Sequence, residues 1–173
     1  RNWYTIAVLF ILVVLGLFVR AYFGVEPATE NGFLLSGGSD SYYHQRAYMY
    51  GYETGNHLHF EDMLNYPMGT RNPRAPIYDW SIVLGGEALA PFFGGDAVES
   101  MWWVFIFSTA FWGALTVIPT YFLAKEAFGK KAGYIAAFLI AIMPGHIQRS
   151  VLTNADHDAI SLFFIVTAFY FFL

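Results

Sequence analysis

The chain has 173 residues, of which 57% are hydrophobic, 20% aromatic and 13% charged, with a formal net charge of -4. A soluble domain carries about 25% charged residues, so the deficit points to a membrane protein, and the charge balance offers no basic footprint for nucleic acid. Cysteine is absent, which excludes disulfides, thiolate metal sites and a thiol nucleophile.

Trp3 to Val19 is a nearly unbroken apolar run between Arg1 and Arg20, and no small-residue cleavage site follows it. It predicts a first transmembrane helix over residues 1–23 rather than a removed signal peptide. Residues 24–96 are mixed and polar, rich in Gly, Tyr, Asn and Pro, and a loop of that length is usually functional. Within it, Asp40–Gly55 has helical spacing. Tyr43, Ala47 and Tyr50 fall on one face and Gln45 and Arg46 off it, with Ser39 or Asp40 at the N-cap and Gly51 or Gly55 as the stop. Tyr66–Pro76, with Pro67, Pro73 and Pro76, predicts extended structure with turns. Ile77–Phe93, interrupted by Asp79, Gly85-Gly86, Glu87 and Pro91, predicts a helix packed against the membrane domain rather than a span.

Residues 97–123 predict the second span, anchored by Trp102 and Trp103 and kinked by Pro119. A short connection over 124–131 carries Lys125, Lys130 and Lys131. Residues 132–148, with Pro144, predict a third span, 149–158 a tight polar turn, and 159–173 the start of a fourth. That last run is shorter than the roughly 20 residues a bilayer requires. The expected fold is all-α and polytopic, with about four transmembrane helices, the last truncated, and a long helical external loop after the first. The chain reads as a fragment of a longer cell-membrane protein.

Lys125–Lys131 and Arg1 place those ends in the cytoplasm, because short lysine-rich connections stay inside. Arg46, Arg71 and Arg74 weigh little, since they lie in a long loop. Two acidic motifs, Gly37-Gly38-Ser39-Asp40-Ser41-Tyr42-Tyr43-His44 and Asp156-His157-Asp158, then both face outward. Acids at the mouths of apolar spans are costly and serve ions or substrates. Asp156 and Asp158 can together grip a hard divalent cation such as Mg²⁺ or Mn²⁺; alternatively they and Asn154 cap the fourth helix, where negative charge is favourable. Asp40 carries the same pair of readings, N-cap or ligand. Arg149 is either a snorkelling charge or a partner for a phosphate or an acid. His157 is favoured as a neighbour over a ligand, because adjacent side chains point apart. His44, His57, His59 and His146 show no persuasive ligand spacing, and the loop tyrosines suit a membrane interface as well as sugar stacking.

These residues resemble a known family. Gly38-Ser39-Asp40-Ser41-Tyr42-Tyr43-His44 after the first span, Tyr66-Pro67-Met68-Gly69 before a proline-rich segment, Gly113 to Pro119, and Arg149 ahead of Asp156-His157-Asp158 follow one another as in the catalytic subunit of archaeal oligosaccharyltransferase, the enzyme of asparagine-linked glycosylation. The resemblance covers the N-terminal transmembrane portion. It implies a membrane glycosyltransferase that moves an oligosaccharide from a dolichyl phosphate or diphosphate carrier to Asn of Asn-x-Ser/Thr, with Mn²⁺ or Mg²⁺. Asp40, Asp156 and Arg149 would be catalytic, and Asp40, Asp156 and Asp158 would bind the metal. In some archaeal members the position of Asp158 is histidine, which makes its ligand role less secure. The family's later catalytic glutamate and its Trp-Trp-Asp-Tyr-Gly acceptor motif are absent from this chain, so an isolated fragment of this extent is expected to be inactive. Two other functions compete. A lipid-phosphate-sugar-dependent mannosyltransferase or protein O-mannosyltransferase needs no paired acids after a third span. A transporter or channel needs acids within its spans, where only Glu99, near an end, is found.

Overall fold

Residues 2–30, 35 and 38–173 are described by the structure, a computed structural model. Arg1 and Gly37, used above for orientation and for the first motif, lie outside the described residues. The fold divides into two units, one of Arg1–Gly37 with Ile106–Leu173 and one of Gly38–Phe105.

The first unit opens with α1, Asn2–Glu30, which runs past the expected boundary at residue 23 because the apolar run marks membrane-compatible surface and not where the backbone stops coiling. α4, Ala97–Leu115, which belongs to this unit from Ile106 onward, and α5, Val117–Phe128, follow with only Thr116 between them. Pro119 has no N–H for the Leu115 carbonyl, so the expected kink appears as this interruption. α5 then absorbs most of the connection expected over 124–131, since Ala124-Lys125-Glu126-Ala127 are good helix formers. The turn is reduced to Gly129, at φ 88° and ψ 171°, a conformation open to glycine and costly for other residues.

The helix expected over 132–148 is two helices. α6 covers Lys130–Ile142 and α7 covers Pro144–Ser150, with Met143 extended between them at ψ 118°. The residue before a proline is pushed out of the helical region, and Pro144 then starts the new helix, where its missing N–H is harmless. The turn expected over 149–158 is correspondingly shorter, because Arg149 and Ser150 are helical and α8, Asp158–Phe172, already includes Asp158. Leu9 and Leu12 of α1, Val117 and Tyr121 of α5, and Ala137 and Ala141 of α6 form the core; the two alanines let backbones approach closely. Trp3–Tyr22 and Ala97–Phe128 are long and apolar enough to cross a membrane, and α8 is a shorter apolar helix.

The second unit holds α2, Ser39–Thr54, ended by Gly55, whose N–H returns to the Gly51 carbonyl. Its N-cap is Gly38 with no side-chain cap hydrogen bond, so neither Ser39 nor Asp40 caps. The buried face is Ser41, Tyr43, His44, Ala47, Tyr48 and Gly51; Tyr50, expected on it, is exposed. Strands β1, Phe60–Glu61, and β2, Thr70–Arg71, pair antiparallel with Phe60 opposite Arg71. They bracket the turns expected before Pro76. α3, Ile77–Leu89, continues into a 3-10 turn, Ala90–Phe93, matching the helix expected there. Asp96 Oδ1 accepts from the backbone N–H groups of Val98 and Glu99 and so caps α4. Tyr48, Tyr78, Ile82, Val83, Met101 and Phe105 are all buried, with the Tyr48 and Phe105 rings 5.0 Å apart.

Candidate functional site

In the second unit, Asp40 lies in the first turn of α2 and its Oδ1 accepts from Arg74 Nη2 at 2.5 Å. The same guanidinium stacks over the Tyr43 ring, 4.3 Å from its centroid, one of the favourable positions for a cation on an aromatic face. Arg74 is held from behind: its backbone N–H donates to Asn72 Oδ1, and Asn72 Nδ2 donates to the Leu58 carbonyl. The proline-rich segment thus acts as a strut that delivers a cation to Asp40. Burial pushes the Tyr43 hydroxyl above its ordinary pKa, with Arg74 opposing that shift. Arg46 Nε donates to Glu61 Oε2, a buried carboxylate whose Oε1 also accepts from the Met63 N–H, tying α2 to β1. His44 Nδ1 lies 2.7 Å from Asp79 Oδ1 of α3.

In the first unit, Asp156 sits in the loop between α7 and α8 and is 8% exposed. Its Oδ1 accepts from the His157 backbone N–H at 2.6 Å and faces His157 Nδ1 at 2.7 Å. The loop is tightly specified. Leu152 N–H donates to the Arg20 carbonyl, Thr153 N–H to that of Ile106, and Thr109 Oγ1 to that of Val151. Asn154 Nδ2 donates to the Arg149 carbonyl, closing the end of α7. Thr153 and Ala155 are held at φ 70° and 25°, and non-glycine residues in that region cost on the order of 1–3 kcal/mol each, strain that clusters at functional sites. The backbone is therefore forced into shape immediately before Asp156.

Asp158 is the first residue of α8 and its Oδ2 lies 3.8 Å from Arg149 Nη1, with the two side chains 44% and 73% exposed. Asp156 and Asp158 thus have different partners and different burial; no side-chain hydrogen bond caps α8, while Asp158 in its first turn supplies the negative charge favoured at that end. Arg149 and Asp158 line a cavity of about 550 Å³ whose other walls include Ile140, Met143, Leu162 and Ile165. A cation and an acid beside an apolar groove suit an amphiphile with an anionic head.

Arg20 was read from sequence only as the flank of an apolar run. It is fully buried, its Nε donating to Ser150 Oγ and its Nη1 to the carbonyls of Gly16 and Ala141. The Ala141 carbonyl belongs to the last turn of α6, where the break at Met143 leaves acceptors without helical partners. The available signal was a cation inside a span with no acid beside it in sequence. Asp79 was missed as well, because its partner His44 is 35 residues away.

Carboxylate oxygens are the donors a hard divalent cation takes, and each unit carries them, Asp40 in one and Asp156 with Asp158 in the other.

The family described as "Oligosaccharyl transferase STT3, N-terminal" matches residues 6–173. A Haloferax volcanii protein described as dolichyl-monophosphooligosaccharide–protein glycotransferase AglB is 31% identical over 170 residues, covering 95% of this chain and 16% of the relative. Dolichyl-phosphooligosaccharide-protein glycotransferase 3 of Archaeoglobus fulgidus is 35% identical over 134 residues, 76% of this chain and 15% of the relative. The crystal structure of an Archaeoglobus fulgidus oligosaccharyltransferase in the apo form superposes with a TM-score of 0.79 at 29% identity, covering 97% of this chain and 20% of that one. Archaeoglobus fulgidus AglB in complex with an inhibitory peptide and a dolichol-phosphate gives 0.77 at 28% identity, over 96% of this chain and 19% of that one. The chain therefore spans about a sixth to a fifth of the length of these relatives.

Proposed function

Because the chain belongs to the oligosaccharyl transferase STT3 family, we propose that it forms the N-terminal membrane portion of an enzyme that transfers an oligosaccharide from a dolichyl phosphate or diphosphate carrier to Asn of Asn-x-Ser/Thr. What carries this reading is that the matched stretch, residues 6–173, contains both acidic motifs, Asp40 and Asp156-His157-Asp158, with Arg149 ahead of the second. The protein spans the membrane several times, about four in this portion, with both motifs on the external face. The relatives' substrates support the partners: one solved relative holds a dolichol-phosphate and an inhibitory peptide, and another is tethered to an acceptor peptide containing an NVT sequon.

An amide nitrogen is a poor nucleophile because its lone pair is delocalised into the carbonyl. A carboxylate that accepts hydrogen bonds from the acceptor N–H groups favours rotation out of conjugation and localises that pair. Asp40 is the residue for this role, with Arg74 holding its carboxylate in place. In this reading Asp40, Asp156 and Asp158 would hold the divalent cation, and the chemistry it would supply is stabilisation of negative charge on the leaving phosphate. Mn²⁺ or Mg²⁺ is the ion in this reading; a solved relative contains Zn and sulfate. Arg149 takes a phosphate oxygen at the mouth of the groove between α6 and α8, and the apolar walls of that groove accommodate the start of the isoprenoid chain.

The test is transfer of glycan from a lipid-linked donor to an Asn-x-Thr peptide by the full-length protein. Asp40→Ala and Asp156→Ala each abolish transfer while leaving the thermal unfolding midpoint intact, and a chelator stops transfer until Mn²⁺ or Mg²⁺ is restored. Near-normal transfer by either variant removes the assignment. Activity that survives chelation favours the metal-independent mannosyltransferase class instead.

A further inference from the structure

We propose that the first unit binds an anionic membrane phospholipid where α1, α5 and α6 meet, with the lipid phosphate between Lys125 and Lys130. The inference rests on the multi-span membrane reading above. It concerns the end of α6 away from the Asp156 loop.

Thr5 and Ile6 of α1, Tyr121, Phe122 and Lys125 of α5, and Lys130 of α6 line a cavity of about 350 Å³. Small-ligand sites occupy about 300–1,000 Å³. One end of the cavity is polar. Lys125 Nζ lies 5.8 Å from the Phe122 ring centroid and Lys130 Nζ lies 5.7 Å from that of Tyr134, the outer reach of a cation over an aromatic face. The Tyr134 hydroxyl is 2.8 Å from Thr5 Oγ1, which adds hydroxyl groups to the cluster. Gly133 sets the spacing of the helices here: a Cβ on it would lie 2.9 Å from the Tyr121 carbonyl oxygen and 3.0 Å from Lys125 Cβ. The other wall is apolar, and its Ile6 is 67% exposed, on the surface that a spanning α1 turns to lipid. Trp3 and Tyr4 are exposed at the same end of α1. Such aromatics settle at the membrane–water interface, which puts the two lysines at head-group depth.

Charge bias alone explains part of this arrangement. Short lysine-rich turns mark the inner face of a membrane, and Lys125, in the last turn of α5, is favoured by that helix end. Lys130 has no such support. It and Lys131 open α6, whose first turn holds no acid, so two cations sit at the positive end of a helix. Among the described residues neither Lys125 nor Lys130 forms an ion pair, with the neighbouring Glu126 or with any other acid. An anion in the cavity offsets this unfavourable charge. A lipid phosphate fits better than a soluble anion, because the cations stand beside an apolar wall along which a hydrocarbon chain can lie. Basic pockets between transmembrane helices on the cytoplasmic side take head groups of this kind.

The full-length protein in phosphatidylcholine nanodiscs, with phosphatidylglycerol added in steps, tests this. Native mass spectrometry counts the phosphatidylglycerol retained, and the unfolding midpoint rises with its fraction. Lys125→Gln and Lys130→Gln each weaken retention by about fivefold, the share of one lysine near an anionic surface. Lys131→Gln removes an equal charge from the same turn at a position that does not line the cavity, and it leaves retention unchanged. Retention that falls as far in Lys131→Gln as in Lys130→Gln reduces the effect to general surface charge and overturns the site. Parent-like retention in the Lys125→Gln/Lys130→Gln double variant overturns it as well. So does an equal rise in midpoint from inorganic phosphate or glycerol 3-phosphate, which would make the occupant a soluble anion. Entry into phosphatidylcholine nanodiscs without any preference for phosphatidylglycerol overturns this inference alone. Failure to enter a bilayer at all overturns the membrane reading, and this inference with it.

Discussion

Arg20 Nε donates to Ser150 Oγ at 2.8 Å, and that hydroxyl donates onward to the His146 carbonyl at 2.6 Å. Through this pair α1 holds the end of α7, and through its own carbonyl, which accepts from the Leu152 N–H, Arg20 holds the start of the Asp156 loop as well. A buried cation is here satisfied by carbonyls and a hydroxyl, with a helix C-terminus among them. A helix end of that kind favours positive charge.

Arg20→Met should therefore destabilise the protein by about 3 kcal/mol or more, because it leaves Ser150 and the α6 carbonyls without their donor in an apolar surround. Arg20→Lys should recover part of that loss, since an ammonium can reach fewer of these acceptors at once. Denaturant titration in bicelles, followed by tryptophan fluorescence, measures both. A shift within error of the parent for Arg20→Met would show that the junction carries little stability.

Gly113 packs against the same junction. A Cβ built there lies 2.6 Å from Ser150 Cβ and 2.7 Å from Arg20 Nε, so Gly113→Ala should cost about 1–3 kcal/mol by overpacking. The cost should shrink in an Arg20→Met background, because the substituted side chain has no fork to keep in place. Strict additivity of the two variants would contradict this coupling, which neighbouring residues are expected to show.

The regular parts of this architecture were legible because they are local. Helical spacing placed α2 at its observed start to within a residue and left Gly51 or Gly55 as its stop, of which Gly55 is the one observed, and Pro119 marked the interruption near Thr116. The break at Met143 was not read, although Pro144 was visible, because apolar residues continue on both sides and hydropathy does not register a change of backbone direction. The acidic residues were singled out by type and position. Their partners were not, since Arg74 for Asp40, Asp79 for His44 and Ser150 for Arg20 are brought together only by tertiary packing.

Alkaline pH should destabilise the Gly38–Phe105 unit through Tyr48. Burial raises its pKa well above the ordinary tyrosine value, so the folded state favours the neutral phenol. That contribution to stability is fully present below the unfolded-state pKa of about 10 and is lost as pH rises through the higher folded value. The ring itself is buried, so Tyr48→Phe should keep the packing and flatten the alkaline limb of the stability profile. An unchanged limb in Tyr48→Phe would assign the effect to other groups, with Tyr43, raised in the same direction, next to be replaced.

Arg149 and Asp158 separate function from stability most cleanly. Their side chains are 73% and 44% exposed and 3.8 Å apart, and exposed pairs contribute about 0–1 kcal/mol. Arg149→Ala should leave the unfolding midpoint nearly unchanged. If the guanidinium takes a phosphate of the lipid-linked donor, the variant should raise the apparent KM for that donor more than it lowers kcat, and the defect should narrow at high salt, where the parent also loses its electrostatic attraction. Asp158→Asn removes the acid facing Arg149 and leaves the cation to the phosphate, so its effect on donor KM should be smaller than that of Arg149→Ala. Equal donor KM values in Arg149→Ala and the parent would leave Arg149 as a surface charge and the groove beside α8 without a head-group contact.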